Sequence, residues 1–158
     1  MKNFNNFKCP PPIANFINKH KFHEFEINKS MTIDDIFLNV TNVWTNLYQC
    51  KSVDKFTLII NTTNFPSNVP ISQVYKMVTF INDIKKKRKN DPSYKKLEST
   101  VLMIEDGSLR LLLKMVFSLT KPLSNVYLAS SVSDMNYVVE CLKKNEKVIS
   151  KNVKIFRP

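Results

Sequence analysis

Short apolar runs alternate with longer stretches of helical periodicity along most of this chain, and this alternation restricts the fold more than any other feature. The runs at 56–61, 100–104 and 126–129 are almost wholly apolar, as expected of strands buried on both faces of a sheet. Between them, apolar residues recur at the three- and four-residue spacing that gives a helix one apolar stripe. A repeated strand-helix order predicts a single α/β domain with a four- or five-stranded, mostly parallel sheet and helices packed on it.

Two further patterns locate the ends of this domain. Residues 22–28 alternate charged and apolar side chains, with Glu24 and Glu26 on one side, which predicts a half-buried edge strand. Thr32 and Asp35 have the spacing of a capping box at the start of the first helix. The tail sequence NVKIF predicts a short added strand. The helices are predicted over 33–47, from 71 into the basic run at 85–89, over 109–119, and from 131 to 142.

The chain is thus predicted to have three parts. Residues 1–21 form an arm rich in Pro, Asn and Lys, residues 22–145 form the α/β domain, and residues 146–158 form a basic tail. Within the arm, the proline triplet at 10–12 predicts polyproline II, and residues 14–21 predict a short helical turn.

The compartment is predicted from apolar segments and cysteines. The first residues lack the apolar segment of a secretory signal, and no apolar stretch is long enough for a transmembrane segment, so an intracellular, cytoplasmic location is expected. Cys9, Cys50 and Cys141 are far apart and form no C-x-x-C pair. This argues against a zinc site and predicts reduced, mostly buried thiols.

The net charge of +11 and the pI near 9.6 favour acidic partners, namely nucleic acid, an anionic membrane surface or an acidic protein. Nearly all of this charge is Lys, with Arg only at 88, 110 and 157, and Arg is the residue that reads base edges by bidentate contacts. The Lys and Asn content also fits an A/T-rich genome, such as that of a large DNA virus.

The strongest charge run is Lys85, Lys86, Lys87, Arg88 and Lys89. One interpretation is a solvated helix C-terminus, where cations interact well with exposed carbonyl groups. The alternatives are a nuclear-import signal or a patch for nucleic acid or membrane.

The single glycine, Gly107, excludes whole classes of nucleotide site. Phosphate loops and dinucleotide-binding turns need several glycines so that the backbone can approach the ligand. The segment Glu105–Leu109 is therefore predicted to be a strand-to-helix turn, with Asp106 or Ser108 as the cap and Gly107 adopting an unusual backbone angle. The alternative is an anion or partner site at the helix N-terminus.

No pattern of catalytic or metal-binding residues is found. His20 and His23 have no accompanying cysteines and follow no nucleophile signature, so they are predicted to be edge-strand or surface residues. Trp44 and Phe37 have helical spacing and are predicted to lie in the core. The expectation is a non-enzymatic protein without cofactor or metal.

The stretch KFTLIINTTNFPSNVPISQVYKMVTFIND, residues 55–83, resembles the central strand-loop-helix of STAS domains, and it is similar to SpoIIAA-like and CRAL-TRIO-like lipid-binding domains. The later units STVLMIEDGSLRLLLKM and SNVYLASSVSDMNYVVECL fit the same fold. In STAS domains a strand ends near an acid and a phosphorylatable Ser opens the next helix. Here Asn61 replaces the acid, Ser67 lies in the loop, and the family's Asp-Ser-Ser-Gly run is absent.

Three functional hypotheses follow. The first is a STAS-like protein-interaction or scaffold module, with candidate binding residues at the two loops: Ser67, Asn68, Asp106, Gly107 and Ser108. The second is a carrier of lipid or another apolar ligand, because the helix at 109–119 is apolar around most of its circumference and can line a cavity. The third is non-specific association with nucleic acid through Lys85–Lys89.

Overall fold

The protein is represented by a computed structural model, which describes residues 7–9 and 20–158. The predicted polyproline segment at 10–12 and most of the predicted turn at 14–21 lie outside these ranges. The first strand begins at His20, two residues before the predicted start of the domain. In chain order the elements are β1 His20–Phe25, α1 Ile33–Gln49, β2 Lys55–Asn61, α2 Ser72–Lys87, a 3-10 turn Pro92–Lys95, β3 Leu97–Met103, α3 Gly107–Leu119, β4 Asn125–Ala129, α4 Val132–Lys143 and β5 Lys154–Phe156.

The strands form one five-stranded sheet whose spatial order, β1-β2-β3-β4-β5, is also the order along the chain. The first four strands are parallel and β5 pairs antiparallel with β4. This confirms the predicted α/β class and the mostly parallel sheet, including the short strand in the tail. Because crossovers between parallel strands are right-handed, a sheet built in sequence order places successive crossover helices on the same face.

The core is accordingly divided between the two faces of the sheet. On one face, α1, α2 and α3 pack over residues such as Phe56 and Leu58. On the other face, α4 packs over Ile59, Val101 and Met103. We call these the three-helix face and the one-helix face. Trp44 is buried on the three-helix face, as its spacing predicted.

Side-chain caps fix where three of the helices begin. Thr32 and Asp35 form the predicted capping box at the start of α1. Asp106 caps α3 by accepting from Leu109 N at 2.9 Å, and Ser131 caps α4. Each cap satisfies a backbone N–H that has no partner within the helix.

The predicted role of Gly107 is wrong. Gly107 is the first residue of α3, and its φ is not positive. The residues with positive φ are Asn68 and Asn145, since the side chain of Asn tolerates the left-handed region better than most. The turn needs no glycine because the Asp106 cap alone determines the helix start.

The structure also pairs two of the three cysteines, which the sequence did not predict. Cys9 and Cys50 lie side by side with a Cα–Cα separation of 5.7 Å, which a disulfide can span, whereas Cys141 is free and buried. Cys50 is the C-cap of α1, and Phe7 packs against the core beside His23. This packing brings residues 7–9 to the end of α1, a proximity that a sequence separation of 41 residues does not reveal.

Among the residues that the structure describes, no helix is both long enough and apolar enough to cross a membrane.

Candidate functional site

A cleft of about 530 Å³ opens at the carboxyl edge of the parallel strands, between the loop after β2 and the loop after β3. The loops that follow parallel strands meet at this edge, although the strand order does not reverse between β2 and β3 to form a topological switch point. The cleft is lined by Thr62, Thr63, Phe65, Pro66, Ser67, Asn68, Val69, Met103, Glu105, Asp106, Ser108, Leu109, Leu111 and Leu112.

Hydrogen bonds hold in place the loop after β2, which forms the first wall of the cleft. Thr62 donates its hydroxyl to Met103 O at 2.7 Å, which ties the end of β2 to the end of β3. Asn61 Oδ1 accepts from Thr63 N at 3.0 Å, and Asn64 Nδ2 donates to Ile27 O at 3.0 Å. The loop is thus anchored near its start, before the exposed residues Ser67 and Asn68.

The loop after β3, which forms the second wall, makes the cleft acidic. Glu105 and Asp106 line it, and no Lys or Arg is among its lining residues. The nearby Arg110 guanidinium donates instead to Ile104 O at 2.9 Å and Ser130 Oγ at 2.7 Å. The local charge of the cleft is therefore opposite in sign to the net charge of the chain.

An apolar cavity of about 180 Å³, open to solvent, adjoins this cleft on the three-helix face. It is bordered by the first two turns of α1 and α2, the ends of β2 and β3, and the apolar stripe of α3. The α3 side chains that line it are Leu109, Leu112, Leu113 and Val116. Five residues line both the cavity and the cleft: Thr62, Phe65, Val69, Leu109 and Leu112.

Gln73 is a polar residue in the lining of this apolar cavity. Its Nε2 donates to Asp34 Oδ1 at 3.1 Å, and Lys76 Nζ lies 3.3 Å from the same oxygen. The Gln73 hydrogen bond and the Lys76 ammonium hold the pKa of Asp34 below its ordinary value. Gln73 Oε1 is buried and has no hydrogen-bond partner among the described residues.

The structure brings four of the five predicted binding residues together in the cleft: Ser67, Asn68, Asp106 and Ser108. Gly107 is not in the lining. Sequence reasoning missed three other residues of the cleft: Thr62, Thr63 and Glu105. Each lies within two residues of the end of a predicted strand. Because the carboxyl ends of parallel strands meet at one edge of a sheet, that position is the signal that could have identified them. Gln73 and the cavity had no sequence signal, since a void depends on how three helices pack.

The basic run at the end of α2 makes several contacts with the protein itself. Lys85 Nζ donates to Thr120 Oγ1 at 2.8 Å, and Arg88 Nη1 donates to Leu123 O at 3.4 Å. Lys87 Nζ lies 5.5 Å from the centroid of the Tyr94 ring. Lys86 and Lys89 are exposed. These contacts favour the interpretation of the run as a helix terminus that packs on its own fold.

Both histidines lie on the edge strand β1, as predicted, and neither lines the cleft. His20 Nε2 and Thr57 Oγ1 share a hydrogen bond of 2.8 Å, and Thr57 shares a second one of 2.9 Å with Ser99. Burial lowers the pKa of His20 and of His23. Within the part of the chain that is described, no group of three His, Cys, Asp or Glu side chains could hold a metal ion.

No family model, curated protein or solved structure matches this chain.

Proposed function

We propose that this chain is a non-enzymatic binding module for a small amphipathic molecule. The apolar part of the ligand occupies the cavity, and its polar part lies in the cleft. The observation that carries this proposal is that the two spaces adjoin and that five residues border both, among them Phe65 and Leu112. An open apolar cavity beside a polar cleft offers a surface to each part of an amphipathic molecule.

The cavity volume limits the size of the apolar part. At about 180 Å³ it is comparable to the engineered apolar cavities of about 150 Å³ that bind benzene. A single aromatic ring or a short branched chain fits this space, and a longer chain would extend from it into the cleft or into solvent. We therefore propose a small apolar group as the ligand of the predicted carrier, with side chains of α3 among its contacts.

The charge of the cleft determines which polar head group the ligand can carry. Two carboxylates, Glu105 and Asp106, line it without a compensating cation. An anionic head group would be repelled there, while a cationic or neutral hydrogen-bonding group would be accepted. The ligand is thus an arylalkyl amine or a neutral analogue rather than a fatty acid, despite the positive net charge of the chain.

Calorimetric titration with phenethylamine and with 3-phenylpropanoate tests this proposal. Both probes carry the same ring on a two-carbon linker, and they differ in the sign of the head-group charge. Phenethylamine is expected to bind at least about threefold more tightly at low salt, with a preference that declines as salt screens the carboxylates.

A matched pair of variants locates the binding. Leu113→Phe fills the cavity from a half-buried position on α3, and Leu142→Phe makes the same change at a half-buried position on α4, away from the cavity. The first variant should lose phenethylamine binding and the second should keep it. Equal binding by both variants, or no binding of either probe to the wild-type protein, would refute the proposal.

Exposed apolar side chains support a second candidate, the predicted STAS-like protein-interaction module. Five large apolar residues on or beside α1, α2 and α3 are more than half exposed: Leu38, Ile71, Tyr75, Leu111 and Leu119. Exposed apolar groups are typical of protein-binding surfaces where they form one contiguous patch. Affinity capture with the wild-type chain and with Tyr75→Glu tests this candidate, and a partner retained equally by both would argue against this surface.

A further inference from the structure

Positive charge collects at the edge of the sheet where the parallel strands begin, which we call the amino edge. Helices α1, α2 and α3 each run from the end of one parallel strand back to the start of the next, so all three end at this edge. Lys51 follows α1, Lys89 follows α2 and Lys121 follows α3. Lys95 precedes β3, and Arg157 follows β5, which runs antiparallel to β4 and therefore ends here. The amino edge is opposite the acidic cleft, which lies where the same strands end.

Contacts between these segments join them into one surface. Lys85 Nζ donates to Thr120 Oγ1 at 2.8 Å, so the end of α2 lies beside the end of α3. Lys96 Nζ donates to Cys50 O at 2.9 Å, which links the start of β3 to the end of α1. The cations that follow the three helices therefore belong to one face of the molecule rather than to three separate helix ends.

Carboxylates neutralise only part of the charge on this surface. Those in the same segments are Asp54, Asp83, Asp91 and Glu98. Glu98 Oε2 lies 3.8 Å from Lys55 Nζ. Burial lowers the pKa of Lys85, and the charges of Arg88 and Lys121 lower it further, because like charges repel one another. Within the described ranges, the exposed cations of this edge that have no side-chain hydrogen bond, ion pair or ring contact include Lys51, Lys86, Lys89, Lys95, Lys121 and Arg157.

This surface suits a partner that is bound by charge alone. Among the exposed large apolar residues that the structure describes, only Leu119 lies at the amino edge. A membrane surface is bound by apolar side chains together with cations, whereas a phosphate backbone is bound by cations without them. Tyr94 is half-buried and its ring centroid lies 5.5 Å from Lys87 Nζ, so it is poorly placed to stack on an unpaired base.

We propose that the amino edge of the sheet binds the phosphate backbone of a nucleic-acid duplex without regard to its sequence. Base edges are read mainly by bidentate arginines, and Arg88, one of three arginines in the chain, donates instead to Leu123 O at 3.4 Å. From β2 to β5 the edge is about 14 Å wide at about 4.8 Å per strand, comparable to the width of about 12 Å of the major groove of B-DNA. Cations along it can therefore reach phosphates of both strands. This inference goes beyond the proposed function and does not depend on it, because the cavity and the cleft lie at the opposite edge.

Fluorescence anisotropy with labelled DNA and RNA duplexes of the same mixed sequence tests this inference, and binding of either duplex supports it. For contacts to about four phosphates, the affinity should fall about 100-fold between 50 mM and 200 mM salt, because bound cations release counterions. The double variant Lys89→Ala, Lys121→Ala should reduce the slope of log affinity against log salt by about 2 and weaken binding at least about fivefold at 50 mM salt. The control Lys29→Ala, Lys151→Ala removes the same charge from exposed positions that follow β1 and precede β5, away from the amino edge, and should change the affinity by less than about twofold.

Several outcomes would overturn this inference. One is that neither duplex binds at 50 mM salt. Another is that the two double variants weaken binding equally while thermal unfolding shows both to be folded, since net charge rather than this edge would then be responsible. Tighter binding of a single strand of the same length, or binding of vesicles of phosphatidylserine and phosphatidylcholine without binding of a duplex, would assign the edge to a different partner. Phenethylamine titrations report separately on the proposed function, and neither double variant should alter them.

Discussion

The two faces of the sheet differ in the chemical character of the spaces they leave open. On the three-helix face, an open cavity of about 180 Å³ is bordered almost entirely by apolar side chains. On the one-helix face, a pocket of about 270 Å³ beside α4 is bordered by Glu24, Glu140 and Lys143 as well as by apolar residues. The face with more covering helices therefore presents the more apolar opening.

Polar groups on the two faces also differ in their hydrogen bonds. On the one-helix face Thr57 shares hydrogen bonds with both His20 and Ser99. On the three-helix face the buried Oε1 of Gln73, a residue that borders the cavity, has no partner among the described residues. The three-helix face thus leaves both apolar surface and one buried acceptor without a partner.

The largest expected effect comes from truncating methionines on the two faces. Met135→Ala removes a buried side chain from the one-helix face and should lower the free energy of unfolding by about 2–5 kcal/mol. Met77→Ala, at a half-buried position beside the open cavity, should cost less than half as much, because its side chain is already partly exposed. Urea denaturation measures both values. Equal losses would contradict the partial exposure of Met77 at the cavity.

A substitution that enlarges a side chain should have opposite effects on stability on the two faces. Val116→Ile adds one methylene at the cavity lining and should stabilise the protein by up to about 1 kcal/mol. Val138→Ile makes the same change in the filled cluster and should destabilise it by about 1–3 kcal/mol. Destabilisation by both substitutions, seen in thermal unfolding, would contradict an unfilled cavity.

The hydrogen bonds that link His20, Thr57 and Ser99 on the one-helix face provide a third comparison. Thr57→Val leaves the buried Ser99 hydroxyl without its partner and should cost about 1–3 kcal/mol. Adding Ser99→Ala to Thr57→Val should restore part of this loss, because the orphaned hydroxyl is removed. Chemical denaturation of the two single variants and the double variant measures the coupling. Strict additivity would mean that the two hydroxyls do not depend on each other.

The smallest expected effect is a pH dependence from β1. Burial lowers the folded-state pKa of His20 and of His23, so the unfolded chain binds more protons at mildly acidic pH. Stability should therefore fall as pH decreases below about 6.5, the ordinary imidazole value, and level off below the folded-state pKa values. Unfolding curves between pH 7.5 and pH 5 test this, with His20→Gln and His23→Gln expected to flatten the slope. If stability instead rose as the pH was lowered from 7.5 to 5, the burial of both rings would be contradicted.

The fold was largely predictable because its signals are local. The apolar runs that became β2, β3 and β4, and the capping box of Thr32 and Asp35, each report on a few consecutive residues. Helix boundaries were predicted to within two residues at α3 and α4, because Asp106 and Ser131 are short polar caps before apolar stripes. Strand β1 was predicted over 22–28 and spans His20–Phe25, since alternation alone does not specify where pairing begins or ends.

The site was predictable only in part, for a physical reason. Ser67 was predicted from its position in the STAS-like loop, and Asp106 and Ser108 from their position at a helix start. The structure brings them together because loops after parallel strands meet at one edge. The cavity depends on the volume left between three helices, and the orientation of Gln73 depends on its contact with Asp34, 39 residues away. The pairing of Cys9 with Cys50 was missed for the same reason, because tertiary packing brings the two residues together.

Methyl NMR spectra under xenon pressure test the ligand-sized cavity most directly, because xenon enters dry apolar cavities without needing a polar contact. We expect saturable shifts of methyl groups that line the cavity, such as those of Leu112, Leu113 and Val116. The methyls of Val101 and Val138, which are fully buried on the one-helix face, should stay unchanged. Shifts of equal size on both faces, or no saturable shift at the cavity lining, would contradict a ligand-sized cavity on the three-helix face.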